Sequence, residues 1–182
     1  MKRSTDNAID HFFARYLALV RATTHDLPVA EYDPALRSPC EIGRVDDEGM
    51  TRWRPVRREE PADCSILSAV VGEPIHPDVR AWYSRWWSFP LEAAWGDDVL
   101  LPVVASGPIE FSQRLESAAR YALACRNAGR PVAVPVAVRV LGGCVTVRHS
   151  DGAVRIDAQG CAADIIADSL TVLLDRLVPV PL

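Results

Sequence analysis

The adjacent carboxylates Asp97 and Asp98 are the strongest candidates for acid–base chemistry in this sequence. A general acid and a general base act together when two carboxyl groups converge on the same substrate. Adjacent residues of a strand point to opposite faces, so this pair does not form a tuned dyad without a third group. The alternative interpretation is a polar turn between two strands, formed by Trp95-Gly96-Asp97-Asp98.

Other residue types used in catalysis lack the partners that they need. Cys40 is a nucleophile only if a histidine approaches it, and the neighbouring sequence supplies none. The chain has no Walker-type or dinucleotide-binding glycine loop, and no serine in a GxSxG elbow. Metal-motif spacing is also absent from the four histidines, His11, His25, His76 and His149. We therefore expect a binding protein with no catalytic activity, no cofactor and no metal.

Length and composition indicate one globular domain. The chain has 182 residues, of which 49% are hydrophobic, enough for a substantial core, and we assign residues 1–182 to this domain. Its longest apolar runs fall well short of the roughly 18 residues that a membrane span needs. The first residues lack the features of a signal peptide, so the predicted location is the cytoplasm.

Net charge limits the kinds of partner that we expect, and the cysteine content limits the kinds of cross-link and metal site. The net charge of −4 does not point to nucleic acid. Nineteen of the 20 cationic residues are arginine, so any basic surface favours bidentate contacts with carboxylates. The five cysteines are scattered, odd in number and without CxxC spacing. They are expected to be reduced thiols rather than zinc ligands or disulfides.

Apolar spacing predicts the elements that position these residues. Helical periodicity is found in five segments, which begin at Ser4 or Thr5, about Asp63, Pro77, near Phe111, and Ala162 or Ala163. The last is expected to bury Ile165, Ile166, Leu170, Leu173, Leu174 and Leu177 before Pro179 stops it. Strands are predicted at Met50–Val56, Leu91–Trp95, Val99–Ala105, Val132–Leu141, Cys144–His149 and Ala153–Ala158, and residues 23–49 are expected to be irregular.

Two glycine-containing turns organise the last three strands. Gly142-Gly143 permits positive φ, and Asp151-Gly152 is the stronger hairpin signal. Helices thus precede and follow a group of hairpins. The predicted fold is a single α+β domain with a mixed, mostly antiparallel sheet flanked by helices.

The densest aromatic segment runs from Ile75 to Trp87. Four of the five tryptophans lie between Trp82 and Trp95, and Val79, Trp82, Tyr83 and Trp86 follow helical spacing. One interpretation is a corner of the core, since aromatics dominate core burial. The other is a partner groove, since tryptophan and tyrosine are common interface anchors.

Short segments along almost the whole chain match a known family in order and spacing. They are Phe13-Ala14-Arg15-Tyr16, Ser38-Pro39-Cys40, Trp53-Arg54-Pro55, Ile75-His76-Pro77 with Tyr83, Gly96-Asp97, Glu110-Phe111, Val145-Thr146-Val147, Asp151-Gly152-Ala153-Val154 and Ala163 to Leu177 with Pro179. Over residues 10 to 179 the sequence resembles the Syd family of SecY-interacting proteins, within the SUKH superfamily.

This resemblance implies a non-enzymatic α+β protein that docks on the cytosolic loops of SecY, in the SecYEG translocation channel. It implies peripheral association with the cytoplasmic side of the inner membrane, and a role in quality control of the channel. An acidic surface would face the basic loops, since cytoplasmic loops of membrane proteins are enriched in positive charge. The candidate residues are Asp46, Asp47, Asp97 and Asp98 for electrostatic contact, and Trp53, Trp82, Tyr83 and Trp95 for anchoring.

A second function shares the same fold. The SUKH superfamily also includes immunity proteins that neutralise bacterial toxins. An acidic groove suits a basic toxin surface as well as it suits basic loops of SecY. The alternative prediction is therefore an immunity protein that binds a toxin domain.

Overall fold

The computed structural model describes residues 3–157 and 164–181. Its helices are α1 (Thr5–Thr24), α2 (Ser65–Val71), α3 (Pro77–Arg85), α4 (Pro108–Asn127) and α5 (Leu170–Arg176). Its strands are β1 (Val29–Glu31), β2 (Glu41–Ile42), β3 (Met50–Trp53), β4 (Val56–Arg57), β5 (Trp86–Trp87), β6 (Glu92–Trp95), β7 (Asp98–Pro102), β8 (Ala133–Arg139), β9 (Cys144–Arg148), β10 (Val154–Asp157), β11 (Asp164–Ala167) and β12 (Val178–Val180).

The strands form three sheets. The largest has seven strands in the order β11-β10-β9-β8-β7-β6-β12, beside a three-stranded sheet β1-β3-β2 and a two-stranded ribbon β4-β5. Every pairing within the described residues is antiparallel. The predicted α+β fold with helices around a largely antiparallel sheet is confirmed.

Helix α1 begins and packs as its sequence predicts. The side chain of Ser4 caps the helix by accepting a hydrogen bond from the backbone N–H of Asn7, which satisfies one of the free donors of the first turn. Its buried face comprises Ala8, Ile9, Phe12, Phe13, Tyr16 and Val20. This face contributes to the main core and packs against α5 and β12.

Helix α3 is bounded by a histidine cap and a change to extended backbone. Nδ1 of His76 accepts a hydrogen bond from the backbone N–H of Asp78, and Pro77 occupies the first turn, where its missing N–H is harmless. At Trp86 the backbone becomes extended. Trp86 and Trp87 then pair with β4, an arrangement that the helical spacing alone does not predict.

The hairpin between β9 and β10 packs closely on the start of α3. Gly152 has a φ of +75°, and a Cβ at this position would lie 2.5 Å from Cε1 of His76. Two independent features therefore require glycine at position 152: the left-handed backbone and the close approach of the His76 ring. The predicted Asp151-Gly152 turn thus also joins the hairpin to the helix.

The structure corrects the prediction for the last helix. Residues Asp164–Ala167 form β11, which pairs with β10, and α5 starts at Leu170 after the cap residue Ser169. Ile165 is 56% exposed rather than buried. Pro179 lies in β12, which pairs with β6 at the edge of the sheet. The predicted start at Ala162 or Ala163 lies outside the described residues.

Residues 23–49 were also predicted incorrectly as wholly irregular, since they contain the short strands β1 and β2. The predicted strand Met50–Val56 is divided into β3 and β4, which belong to different sheets. The predicted strand end at Ala158 lies outside the described residues, and the remaining boundaries agree to within a few residues. The assignment of all residues 1–182 to one domain stays a prediction.

Candidate docking surface

Cys40 is held in a state that disfavours a role as a nucleophile. The thiol of Cys40 is fully buried, and its Sγ donates a weak hydrogen bond to the carbonyl of Ser106 at 4.0 Å. Burial raises the pKa of Cys40 to about 11, so the thiol, and not the nucleophilic thiolate, is the form present at neutral pH.

The described cysteines Cys40, Cys64, Cys125 and Cys144 are free thiols, as predicted. Cys161 lies outside the described residues. Residues 3–157 and 164–181 contain no group of three or more histidines, cysteines or carboxylates placed to hold a metal ion.

The two candidate carboxylates Asp97 and Asp98 point in different directions. Asp98 is 8% exposed and accepts a hydrogen bond from Nε of Arg139 on the neighbouring strand β8. Asp97 is exposed in the turn between β6 and β7. The expected divergence of adjacent strand residues is therefore observed, and only Asp97 is available to a partner.

Three of the four aromatic candidates for anchoring lie inside the protein. Trp53, Trp82 and Tyr83 are 1%, 7% and 5% exposed. The side chains on α3 satisfy their polar atoms internally: Nε1 of Trp82 donates to the carbonyl of Val103 at 2.9 Å, and the Tyr83 hydroxyl donates to that of Pro135 at 2.6 Å. These three positions face the core, whereas Trp95 is partly buried, and the anchoring role of all four stays a prediction.

The remaining candidates fall in two separate places. Asp46 and Asp47 are exposed in the loop between β2 and β3, where Oδ1 of Asp46 accepts hydrogen bonds from the backbone N–H groups of Glu48 and Met50. Trp95 is partly buried and lies beside the exposed Asp97. These two sites belong to different sheets, and no hydrogen bond or ion pair of the described residues connects them.

An exposed apolar strip lies beside Asp97 and was missed by sequence reasoning. Leu101 and Val138 pair across β7 and β8 and are 37% and 41% exposed. Val140 and Leu141, at the tip of the β8–β9 hairpin, are 58% and 78% exposed. Because Arg139 reaches Asp98, this tip lies at the same end of the sheet as the Asp97 turn.

The sequence does not predict this exposed strip because β7 and β8 consist almost entirely of apolar residues. Both strands read as continuous apolar runs, which are typical of strands covered on both faces. One face is covered, since Leu100 is fully buried and Ala137 is 3% exposed. The alternation of burial in β7, from buried Leu100 to exposed Leu101 and buried Pro102, leaves the other face open. We call Leu101, Val138, Val140 and Leu141 the apolar strip.

Among the helices of the described residues, none combines the length and apolar character that crossing a membrane requires.

Comparison with known proteins relates this chain to one family. The family model described as Syd protein (SUKH-2) matches residues 6–179.

Individual relatives agree with this match. Protein Syd of Pseudoalteromonas atlantica is 27% identical over 183 residues, which cover 98% of each chain. Protein Syd of Psychromonas ingrahamii is 25% identical over 187 residues, covering 99% of this chain and 98% of its own. Protein Syd of Aeromonas hydrophila is 36% identical over a shorter stretch of 85 residues, 47% of this chain and 46% of its own. The fold and these matches together place the chain in the Syd (SUKH-2) family.

Proposed function

We propose that this protein is a non-enzymatic binding protein that docks on the cytosolic loops of SecY, in the SecYEG translocation channel. The observation that carries this proposal is the match to the Syd family over residues 6–179. Association with the cytoplasmic side of the inner membrane would then be peripheral and mediated by the channel. Quality control of the channel is the role that this docking would serve.

The geometry supports one end of the seven-stranded sheet as the contact surface. Asp97 supplies an exposed negative charge, which would steer the approach of basic cytosolic loops. Leu141 and the rest of the apolar strip supply surface that a partner can cover, and apolar burial provides the main favourable free energy of association. An acidic residue beside an apolar strip matches the polar rim and apolar centre of ordinary interfaces.

The acidic loop between β2 and β3 has a secondary place in this proposal. Asp47 is exposed there, and Asp46 stabilises the turn through its hydrogen bonds to backbone N–H groups. This loop offers charge but little adjacent apolar surface. We expect it to influence the rate of association more than the lifetime of the complex.

Copurification with membranes that contain SecY tests the proposal. The tagged protein is incubated with such membranes at low salt and at about 0.5 M salt, where screening is strong. We expect binding at low salt that weakens at high salt. Membranes depleted of SecY are the control, and equal recovery from them would contradict SecY as the partner.

Two single variants locate the surface. Asp97→Lys reverses the exposed charge, and Leu141→Asp places a charge in the apolar strip. Both are expected to weaken binding by roughly tenfold or more, while Val29→Asp, at a 56% exposed position on a different sheet, leaves it unchanged. Equal effects of all three variants would argue against this surface. Recovery of a toxin domain from lysate, with no channel protein bound, would replace SecY docking by the immunity function.

A further inference from the structure

A second surface, where β4 lies close to helix α3, is positively charged, in contrast to the negatively charged surface around Asp97. A groove with a volume of about 550 Å³ lies between the segment that follows β4 and helix α3. Four arginines line it, Arg57, Arg58, Arg80 and Arg85, with only the carboxylates Asp6 and Glu59 beside them. A groove of this size falls in the range of about 300–1,000 Å³ that is typical of ligand sites.

The charge of Arg85 is already compensated within the protein. Its Nε and one terminal nitrogen each lie 2.6 Å from an oxygen of Asp10, and its other terminal nitrogen is 3.1 Å from Asp6. These contacts also remove Asp6 as a free negative charge in the groove. Arg85 therefore forms part of the wall and does not need a ligand.

Arg58 is held in a very different way. The pairing of β4 with β5 places it next to Trp87, and its backbone N–H donates to the carbonyl of Arg85 at 2.9 Å. Its guanidinium carbon lies 3.4 Å from the ring centroid of Trp87 and 4.3 Å from that of Phe111. Two aromatic faces thus fix the orientation of this cation.

The guanidinium of Arg58 has no anionic partner in the part of the chain that the structure describes. Its Nε is enclosed and donates no hydrogen bond there. Burial lowers the pKa of Arg58 to about 10, which reflects the cost of removing this cation from water. A cation that is partly dehydrated and fixed in position gains strongly from a carboxylate that reaches its free edge.

Arg57 and Arg80 add exposed positive charge on the two walls. Both are exposed, and neither forms an ion pair with a carboxylate of residues 3–157 or 164–181. Apolar lining is contributed by Pro61, Pro74 and Ala81. The groove therefore combines two exposed cations without ion-pair partners, proline surface, and Arg58, whose guanidinium is fixed on Trp87 and Phe111 beside it.

We infer that this groove binds an acidic peptide segment of a partner protein, with its carboxylates on Arg57, Arg58 and Arg80. Guanidinium groups bind carboxylates in a bidentate manner, and proline and alanine surface suits the apolar side chains that alternate with acidic ones in a peptide. A nucleic acid fits less well, because the overall charge of −4 repels a polyanionic backbone beyond the groove. This inference is independent of the docking proposal, since it uses none of the same residues.

Fluorescence anisotropy with defined probes tests the inference. The first probe is a labelled peptide of about twelve residues in which glutamate alternates with proline and leucine. The second has glutamine in place of glutamate, and the third is single-stranded DNA of similar length. We expect binding of the glutamate peptide that weakens with salt, and at least roughly tenfold weaker binding of the other two probes.

Charge-reversal variants assign the binding to the groove. Arg57→Glu/Arg80→Glu should weaken binding of the glutamate peptide by roughly tenfold or more, whereas Arg44→Glu/Arg120→Glu changes the net charge equally at exposed positions outside the groove. Arg58→Met keeps an unbranched side chain on Trp87 and should also weaken binding. Circular dichroism confirms that each variant is folded.

Three results would overturn the inference. The wild-type protein could fail to bind the glutamate peptide. Both double variants could weaken binding equally, which would reveal a bulk charge effect. The DNA could bind more tightly than the peptide with the same dependence on Arg57 and Arg80, which would assign the groove to phosphate groups.

Discussion

Two aromatic clusters of this protein differ in what covers them. Trp53 lies between Tyr16 and Phe89, at centroid distances of 5.9 and 5.4 Å, and is 1% exposed. Trp87 and Phe111 lie 6.0 Å apart, are partly exposed, and are covered by the guanidinium of Arg58. We call these the closed cluster and the open cluster.

The difference shows that aromatic density by itself does not mark an interface. Both clusters use large rings, but only the open cluster holds a cation next to a groove. In the closed cluster, burial raises the pKa of Tyr16 to about 12, which indicates an environment that excludes charge. We therefore expect rings covered by other rings, as around Trp53, to serve folding, and rings covered by a cation, as at Trp87, to serve recognition.

Truncation of Trp53 is expected to have the largest effect. Trp53→Ala removes a fully buried ring and leaves a cavity, so the free energy of unfolding should fall by about 3–5 kcal/mol. Urea unfolding followed by circular dichroism measures this change. Trp87→Ala is the matched variant in the open cluster and should cost less, because its ring is partly exposed. Equal losses for the two variants would remove the distinction between the clusters.

Loss of the Asp10 carboxylate should have an intermediate effect. Asp10 accepts hydrogen bonds from Arg85 and, at 2.8 Å, from Nε1 of Trp86, which packs on Phe13. Asp10→Asn leaves Arg85 poorly paired, at a cost of about 1–2 kcal/mol, since the 33% exposed site lets water compensate in part.

The effect of this variant depends on pH. Hydrogen bonds from Arg85 lower the pKa of Asp10, so its stabilisation is present above the unfolded value of about 4 and is lost as pH falls through the lower, folded value. The difference in stability between wild type and Asp10→Asn should therefore shrink in acid. A constant difference between neutral pH and about pH 2 would contradict this assignment.

Replacement of Arg58 should change stability little. Arg58→Met loses the cation–π contact but also relieves the cost of a partly dehydrated charge, so the net change should be under about 1 kcal/mol. Thermal unfolding is the measurement, with peptide binding by the same sample as the second readout. Stability loss comparable with that of Trp53→Ala would mean that Arg58 serves folding and not recognition.

A charge in the apolar strip should have the smallest effect on folding. Leu141 is 78% exposed, so Leu141→Asp should alter the free energy of unfolding by no more than about 0.5 kcal/mol. This result would separate its expected effect on docking from any effect on the fold. A larger loss would show that the hairpin tip belongs to the core.

Local sequence rules predict most of the fold. The helix start at Ser4 and the Asp151-Gly152 turn depend on neighbouring residues, and each is confirmed. The error at Asp164–Ala167 arose because Ile165 and Ile166 extend the helical spacing of α5 backwards. The informative signal there was Ser169, which caps α5 through its side-chain oxygen.

The sites were harder to predict, because exposure depends on which elements pack together. Trp82 and Trp95 are both tryptophans, yet Trp82 faces the core from α3, whereas Trp95, at the end of β6, is partly exposed. Similarly, Arg85 and Arg58 differ only through contacts with Asp10 and Trp87. These contacts join residues that are far apart in the sequence or follow from strand pairing.

The packing of α1 on α5 and β12 has a consequence for synthesis on the ribosome. Helix α3 packs on α1 and follows it by about fifty residues, but α5 and β12 follow it by more than a hundred. Part of the apolar face of α1 therefore stays uncovered long after its own synthesis, a state that invites aggregation or chaperone binding. The core is complete only when Leu173 and Leu174 of α5 have been made.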